Sequence, residues 1–433
     1  MNPRKIIHFV TLGCSKNLVD SEHLMKQIEQ AGYKVDHNSE KIRSGTVIVN
    51  TCGFIKDAKQ ESIDTILEFA QAKLEGKIEH LFVFGCLTEL YKKELAKEIP
   101  EVDQFFGAKN FEDILKTLGI GYQKDLLNER IQTTPKHFAY LKISEGCDRS
   151  CAFCAIPAIR GPHTSVPIET LVQEAQKLAK SGVKELIVIA QDITWYGLDI
   201  YKEQKLGALL TELIKINEIE WIRLHYAYPQ KFPKDVIEIM KSNRKICRYL
   251  DIPFQHISNK MLKHMRRGNN KEQTLEVIRS LRAQMPDIAI RTTLLVGHPD
   301  ETAEDFAELL DFVRENRFER LGVFPYSHEE FSYAYGNYKD NIPEEIKTER
   351  VEAIMDLQQK ISEEINQTRI GKIFKVLIDR IEGDYLIGRT EYDSPEVDNE
   401  VLIPVQSGIK PGTFVMARIN DATEFDLFAE IVS

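Results

Sequence analysis

The sequence predicts an α/β protein in three parts: an N-terminal parallel α/β domain, a central partial (βα)6 barrel and a small C-terminal antiparallel β-barrel. Three observations predict it. Short apolar runs alternate with helical stretches up to about residue 324, six strand–helix units recur after residue 135, and five short runs separated by turns close the chain. At 433 residues the chain exceeds what one core usually organises, and the divisions are expected at 1–134, 135–367 and 368–433.

In the first part, residues 6–10, 46–49 and 81–84 read as strands, with helices over about 18–31 and 58–74. Each strand delivers a cysteine beside a glycine: Gly13-Cys14, Cys52-Gly53 and Gly85-Cys86. The spacings of 38 and 34 positions each match about one strand–helix unit. In a parallel sheet the carboxyl ends of such strands share one edge, where sites form, so these three cysteines are expected to meet there. The glycines suit tight turns beside a bulky group. Asp20 and Glu22 are expected to act as helix-end charges or a charged rim.

A polar stretch over 128–136 reads as a linker. Beyond it, strands are expected at 138–143, 185–190, 221–225, 249–252, 289–296 and 320–324, with helices at about 168–180, 206–216, 235–240, 271–284 and 303–315. Such a repeat is an incomplete parallel barrel with its site at the carboxyl ends of the strands. The first of these loops carries Cys147, Cys151 and Cys154, whose gaps of three and two residues let three thiols converge from one loop. Three thiolates suit a zinc ion short of its fourth ligand, or a 4Fe-4S cluster with one iron left open. His137 and His163 are the nearest candidates to complete a zinc site, without finger-like spacing. Phe153, Gln191, Asp192, Arg291 and Gly297 are candidate cofactor-binding residues, and Arg223 is a further carboxylate partner.

Residues 343–367 form a charged, helix-prone bridge. The closing strands are expected at 374–378, 385–387, 401–405, 414–419 and 427–431. Residues 366–433 hold seven Arg or Lys against 12 Asp or Glu, a difference of −5. A module gripping nucleic acid presents a basic surface, so this one is expected to face a basic protein.

The whole chain has 57 Lys and Arg against 67 Asp and Glu, a formal charge of −10. This excludes broad attraction to nucleic acid but leaves room for a local basic patch. No segment approaches the roughly 20 apolar residues of a membrane span, so a soluble cytoplasmic protein is expected. Seven cysteines, an odd number, do not make a disulfide framework. Six read as ligands, and Cys247, beside an expected strand, as a small semi-buried side chain.

At Cys147-Asp148-Arg149-Ser150-Cys151-Ala152-Phe153-Cys154 the chain resembles the radical S-adenosylmethionine (SAM) superfamily, whose Cys-x-x-x-Cys-x-x-Cys loop ligates a 4Fe-4S cluster that binds SAM. With Cys14, Cys52 and Cys86 the resemblance narrows to the methylthiotransferases and spans essentially the whole chain. It implies an auxiliary 4Fe-4S cluster on Cys14, Cys52 and Cys86, a central radical-SAM barrel and a C-terminal TRAM barrel, and it displaces the zinc reading. The stretch Leu12-Gly13-Cys14-Ser15-Lys16-Asn17, with Asp148-Arg149 and Cys154-Ala155-Ile156-Pro157, looks like the branch that modifies an aspartate of ribosomal protein uS12. Ser165-Val166-Pro167 and Gly297-His298-Pro299-Asp300 depart from the Ser-Arg-Pro and Gly-Phe-Pro-Gly common in the family.

The resemblance implies that a C–H bond at the aspartate β-carbon becomes C–S–CH3. A 5′-deoxyadenosyl radical from SAM removes the hydrogen, and a second SAM methylates a sulfur at the auxiliary cluster. Implied partners are uS12 within or near the small ribosomal subunit and an electron donor such as flavodoxin or ferredoxin, with no membrane. The alternatives are methylthiolation of isopentenyladenosine in tRNA and a non-catalytic iron–sulfur protein that binds RNA or the ribosome.

Overall fold

The computed structural model describes residues 6–39, 45–126 and 128–432. The N-terminal domain comprises β1 (Ile6–Thr11), α1 (Ser15–Gln30), β2 (Lys34–His37), β3 (Thr46–Thr51), α2 (Lys56–Leu74), β4 (His80–Gly85), α3 (Cys86–Glu98), β5 (Gln104–Phe105) and α4 (Phe111–Thr117). Its five strands are parallel, in the order β2-β1-β3-β4-β5. Alternate residues of the central strands enter two cores, Val47, Val49, Leu81 and Val83 on one side and Ile7, Phe9, Ile48 and Phe82 on the other. Burial on both faces is why these strands read as continuous apolar runs. Edge strand β2, Lys-Val-Asp-His, carries no such run and adds a strand to the gap between Cys14 and Cys52.

The central domain starts with β6 (Phe138–Lys142), followed by a hairpin of β7 (Ser144–Glu145) and β8 (Thr164–Ser165) that frames the cysteine loop and the short α5 (Ile156–Arg160). Next come α6 (Ile168–Lys180), β9 (Glu185–Ile189), α7 (Leu206–Leu213), β10 (Trp221–Leu224), α8 (Lys234–Ser242), β11 (Ile246–Asp251), α9 (Asn259–His264) and α10 (Lys271–Gln284). The domain ends with β12 (Ala289–Val296), α11 (Ala303–Asn316), β13 (Arg320–Pro325), α12 (Tyr333–Asn337) and α13 (Glu344–Gln367). The six long strands form one parallel sheet in chain order, β6-β9-β10-β11-β12-β13. One face packs on the helices through residues such as Leu141, Val188, Leu224, Leu250 and Leu294. The other face is lined more by polar and aromatic groups.

The C-terminal strands are β14 (Ile373–Glu382), β15 (Tyr385–Thr390), β16 (Glu400–Pro404), β17 (Phe414–Ala422) and β18 (Asp426–Ile431), closed in the ring β14-β15-β16-β18-β17. The expected antiparallel barrel has one exception, the parallel pair of β16 and β18. A closed ring of five strands cannot alternate direction throughout, so one parallel pair is unavoidable.

This barrel plugs the amino ends of the central strands. Leu377, Tyr392 and Phe414 pack with Trp221, Cys247, Tyr249 and Ala289. Asp379 meets His137 at 2.8 Å, Asp398 meets Tyr249 Oη at 2.8 Å, and Asp393 pairs with Arg320. Several of the acids counted as a docking charge therefore work inside the molecule. Cys247 lies within β11 rather than beside a strand, and is fully buried.

Two further expectations change. The stretch over 128–136 is clasped rather than loose: Arg130 is ion-paired with Glu22 and Glu174, and Thr133 donates to Glu22 through its amide at 2.6 Å and its hydroxyl at 2.8 Å. Asp20 and Glu22 are neither caps nor rim, since both are buried: Asp20 binds Lys142 and Arg160 of the following domain, and Glu22 binds Arg130 and Thr133 of the linking stretch. No helix among the described residues is long and apolar enough to cross a membrane.

Candidate active site

The carboxyl ends of both parallel sheets face one cavity of about 1170 Å³, and all six expected ligand cysteines line it. Cys14, Cys52 and Cys86 follow β1, β3 and β4, which are direct neighbours in the sheet. Gly13 has φ +86°, and a Cβ there would sit 2.6 Å from Cys52 Cβ and 2.9 Å from its Sγ, so glycine permits this approach. Ser62 Oγ accepts from the Cys52 amide at 3.0 Å and donates to the Cys52 carbonyl at 2.8 Å. Asn17 Nδ2 donates to the Leu12 and Thr51 carbonyls at 3.0 and 3.1 Å, stitching the ends of β1 and β3.

The second trio sits on the loop between β7 and α5. Gly146 has φ +78°, and a Cβ there would meet the Pro162 carbonyl at 2.1 Å. The Cys147 amide donates to Gly161 O at 3.1 Å, and the Ala152 amide to Met265 O at 2.8 Å. Each trio receives one buried guanidinium: Arg160 Nη2 lies 3.2 Å from Cys86 Sγ, and Arg267 Nη1 3.3 Å from Cys151 Sγ. Neither arginine was singled out in the sequence, because nothing in its local pattern distinguishes it from a surface cation. Arg149 is stacked between Trp195 and Tyr228, with its charge centre 4.0 and 3.9 Å from the ring centroids, and is paired with Asp192 at 2.8 Å.

Burial pushes the Cys86 thiol up to about 11 against the pull of Arg160, and the Cys147 thiol up to about 12. Burial also raises the Cys52 and Cys154 thiols. Such thiols keep their protons at neutral pH until a positive centre displaces them. Burial would also raise the Glu145 carboxyl, but Lys142 and Arg160 outweigh it and hold it at about 2.

Of the cofactor-binding candidates, Phe153, Gln191 and Asp192 line the cavity. Gln191 Nε2 donates to Glu145 at 2.6 Å, while its buried Oε1 has no partner and is free to accept from a ligand. Asp192 is already engaged, by Arg149 on one oxygen and by the Thr194 amide and hydroxyl on the other. Arg291 and Gly297 do not line the cavity. Arg291 bonds Asp398 at 3.2 Å and Asp251 at 3.4 Å on the side of the C-terminal barrel. A Cβ on Gly297 would meet Lys347 Cγ at 2.3 Å, so that glycine serves the packing of α13. Arg223 is fully buried against Glu185. His137 and His163 are absent from the cavity lining: His137 Nε2 bonds Asp379 at 2.8 Å and His163 Nε2 bonds Ser165 Oγ at 3.1 Å.

Family models match the chain in three blocks: "Uncharacterized protein family UPF0004" over residues 6–107, the radical SAM superfamily over 141–313 and the TRAM domain over 370–432. The chain is 54% identical over 430 residues to the ribosomal protein uS12 methylthiotransferase RimO of Bacteroides fragilis, covering 99% of this chain and 100% of that protein. It is 55% identical over 425 residues to RimO of Flavobacterium psychrophilum, covering 98% and 97%. Among solved structures, the fold resembles the radical SAM methyltransferase TsrM from Kitasatospora setae (TM-score 0.56, 14% identity, 76% and 77% covered). It also resembles the cobalamin-dependent radical SAM enzyme OxsB (TM-score 0.53, 13% identity, 82% and 56% covered). With relatives this similar along its whole length, the chain belongs to the ribosomal protein uS12 methylthiotransferase family of radical SAM proteins.

Proposed function

We propose that this protein methylthiolates the β-carbon of an aspartate in ribosomal protein uS12, using SAM and two 4Fe-4S clusters, in the cytoplasm. The observation that carries the reading is the shared cavity: two cysteine trios from two parallel sheets face one space. Cys147, Cys151 and Cys154 would hold one cluster, and Cys14, Cys52 and Cys86 the other. The donors fit, since each trio is all-thiol and has an arginine positioned against one sulfur. When bound, these groups supply the one-electron cleavage of SAM that removes an unactivated hydrogen, and the sulfur that replaces it.

The chain's own residues position and shield. Arg267 and Arg160 donate to a sulfur of each trio, stabilising negative charge there. The unpartnered Gln191 Oε1 suits a donor group of SAM. Lys59 on α2 pairs with Glu329, and Tyr91 on α3 packs on Phe331 with ring centroids 5.7 Å apart, so the N-terminal domain and the segment after β13 close together at one edge of the cavity. An unactivated C–H bond demands such shielding from water. We also read the domain boundaries as 1–134, 135–367 and 368–433, supported by each main sheet falling within one segment.

The test is anaerobic reconstitution with reductant and SAM, offering small ribosomal subunits and hypomodified tRNA separately. Mass spectrometry is expected to find a methylthio group on a uS12 aspartate. Addition to tRNA alone would assign the protein to the other branch.

A further inference from the structure

Among the described residues, the cavity holds several buried or half-buried cations, and all but Lys16 are already committed. Arg149 is paired with Asp192, Arg160 with Asp20, and Lys59 with Glu329, while Arg267 donates to Cys151 Sγ and to the Pro253 carbonyl at 2.6 Å. Lys16 lines the same cavity and is only 9% exposed. Among the described residues its ammonium meets no carboxylate within ion-pair distance. Its contact is the face of Tyr226, with Nζ 3.1 Å from the ring centroid. A ring face holds a cation in place without neutralising it, so the charge stays available to a ligand.

Both halves of this contact are fixed. Lys16 follows the β1 turn and directly precedes Asn17, whose side chain is bonded to two carbonyls. Tyr226, at the carboxyl end of β10, has φ +61°, uncommon for a non-glycine residue, and its amide donates to buried Asp251 at 3.2 Å. Buried Asp251 feels the Lys16 charge without meeting it in an ion pair, so the ammonium can still take a direct anionic partner from the cavity.

We propose that Lys16 is the specificity-determining cation that binds the side-chain carboxylate of the substrate aspartate. The inference rests on the proposed function and adds to it the group that recognises the substrate residue. Lys16 stands two positions from Cys14, the exposed member of the N-terminal trio, on the side from which sulfur must reach the substrate carbon. A carboxylate paired with Lys16 brings its β-carbon, one bond away, into the cavity that Cys14 also lines. The methionyl carboxylate of SAM is the competing source of the same chemistry, and the proposed place for SAM is at the other trio.

The test uses reconstituted holoenzyme and uS12 protein with the target aspartate intact or replaced by asparagine. Binding of each is measured by fluorescence anisotropy, with SAM affinity measured separately. Wild type is expected to favour the aspartate form by about tenfold or more, the worth of one charged hydrogen bond. Lys16→Met is expected to bring that ratio close to one by weakening the aspartate form, Lys16→Arg to restore most of it, and SAM affinity to stay within about twofold. An unchanged ratio in Lys16→Met, or a loss confined to SAM affinity, overturns the inference. If wild type yields no methylthio-aspartate on uS12 at all, the functional reading fails and this inference falls with it.

Discussion

Arg160 donates to Cys86 Sγ at 3.2 Å from the last residue of α5, across the boundary between the two cysteine-bearing domains. The same guanidinium binds Asp20 at 2.6 Å and approaches Glu145, just before the Cys147 loop, at 3.4 Å. One buried cation thus ties a thiol of one trio to the loop that carries the other.

Replacing it separates structure from tuning. Arg160→Leu leaves Asp20 facing only Lys142 in a buried setting and is expected to lose about 3–5 kcal/mol of stability. Redox titration followed by electron paramagnetic resonance should show the N-terminal cluster harder to reduce, because a positive charge beside its sulfur is gone, with the signal of the other cluster unmoved. Equal shifts in both clusters would contradict this local role.

The Glu145 clasp sets an acid limit. Its carboxyl sits at about 2 in the folded protein against an ordinary 4.5. The stability it contributes is therefore complete above pH 4.5 and is lost as the pH falls towards 2. Calorimetry of the wild type should show a steeper fall in Tm across that window than Glu145→Gln, which has no charge to lose.

Gly146 is the tightest point of the cysteine loop. Gly146→Ala forces a Cβ against the Pro162 carbonyl at positive φ and is expected to reduce iron retention by Cys147, Cys151 and Cys154. Gly182→Ala is the control: its φ is also positive, at +110°, but nothing lies within 4 Å. It is expected to cost about 1 kcal/mol with iron content unchanged.

Much of this site was legible because its signals are local or periodic. Strand ends follow from apolar runs, so the sequence alone puts Cys14, Cys52 and Cys86 on one edge, and three cysteines in eight positions declare themselves. Arg160 and Arg267 were not legible, since their meaning lies in what they touch 74 and 116 residues away. Arg291 misled for the same reason. Its strand was correctly placed, but its depth along β12 sets it beside the C-terminal barrel, while Thr293 and Leu295, two and four positions on, reach the cavity. The acidic count of the C-terminal barrel likewise hid Asp379, Asp393 and Asp398, which are spent on His137, Arg320 and Arg291.

That placement has its own consequence. Arg291→Ala is expected to lose about 2 kcal/mol of stability by stripping charged partners from Asp398 and Asp251. SAM affinity, measured by equilibrium dialysis, should stay within about twofold. A tenfold loss of SAM binding with unchanged stability would return Arg291 to the cofactor site.

The central claim is a division of labour between the trios within one cavity. Its most direct test is Cys52→Ala beside wild type, with 5′-deoxyadenosine and methylthio-uS12 quantified in the same anaerobic reaction. The account predicts that the variant still forms 5′-deoxyadenosine but yields no methylthio product. Normal methylthio-uS12 from Cys52→Ala would contradict it.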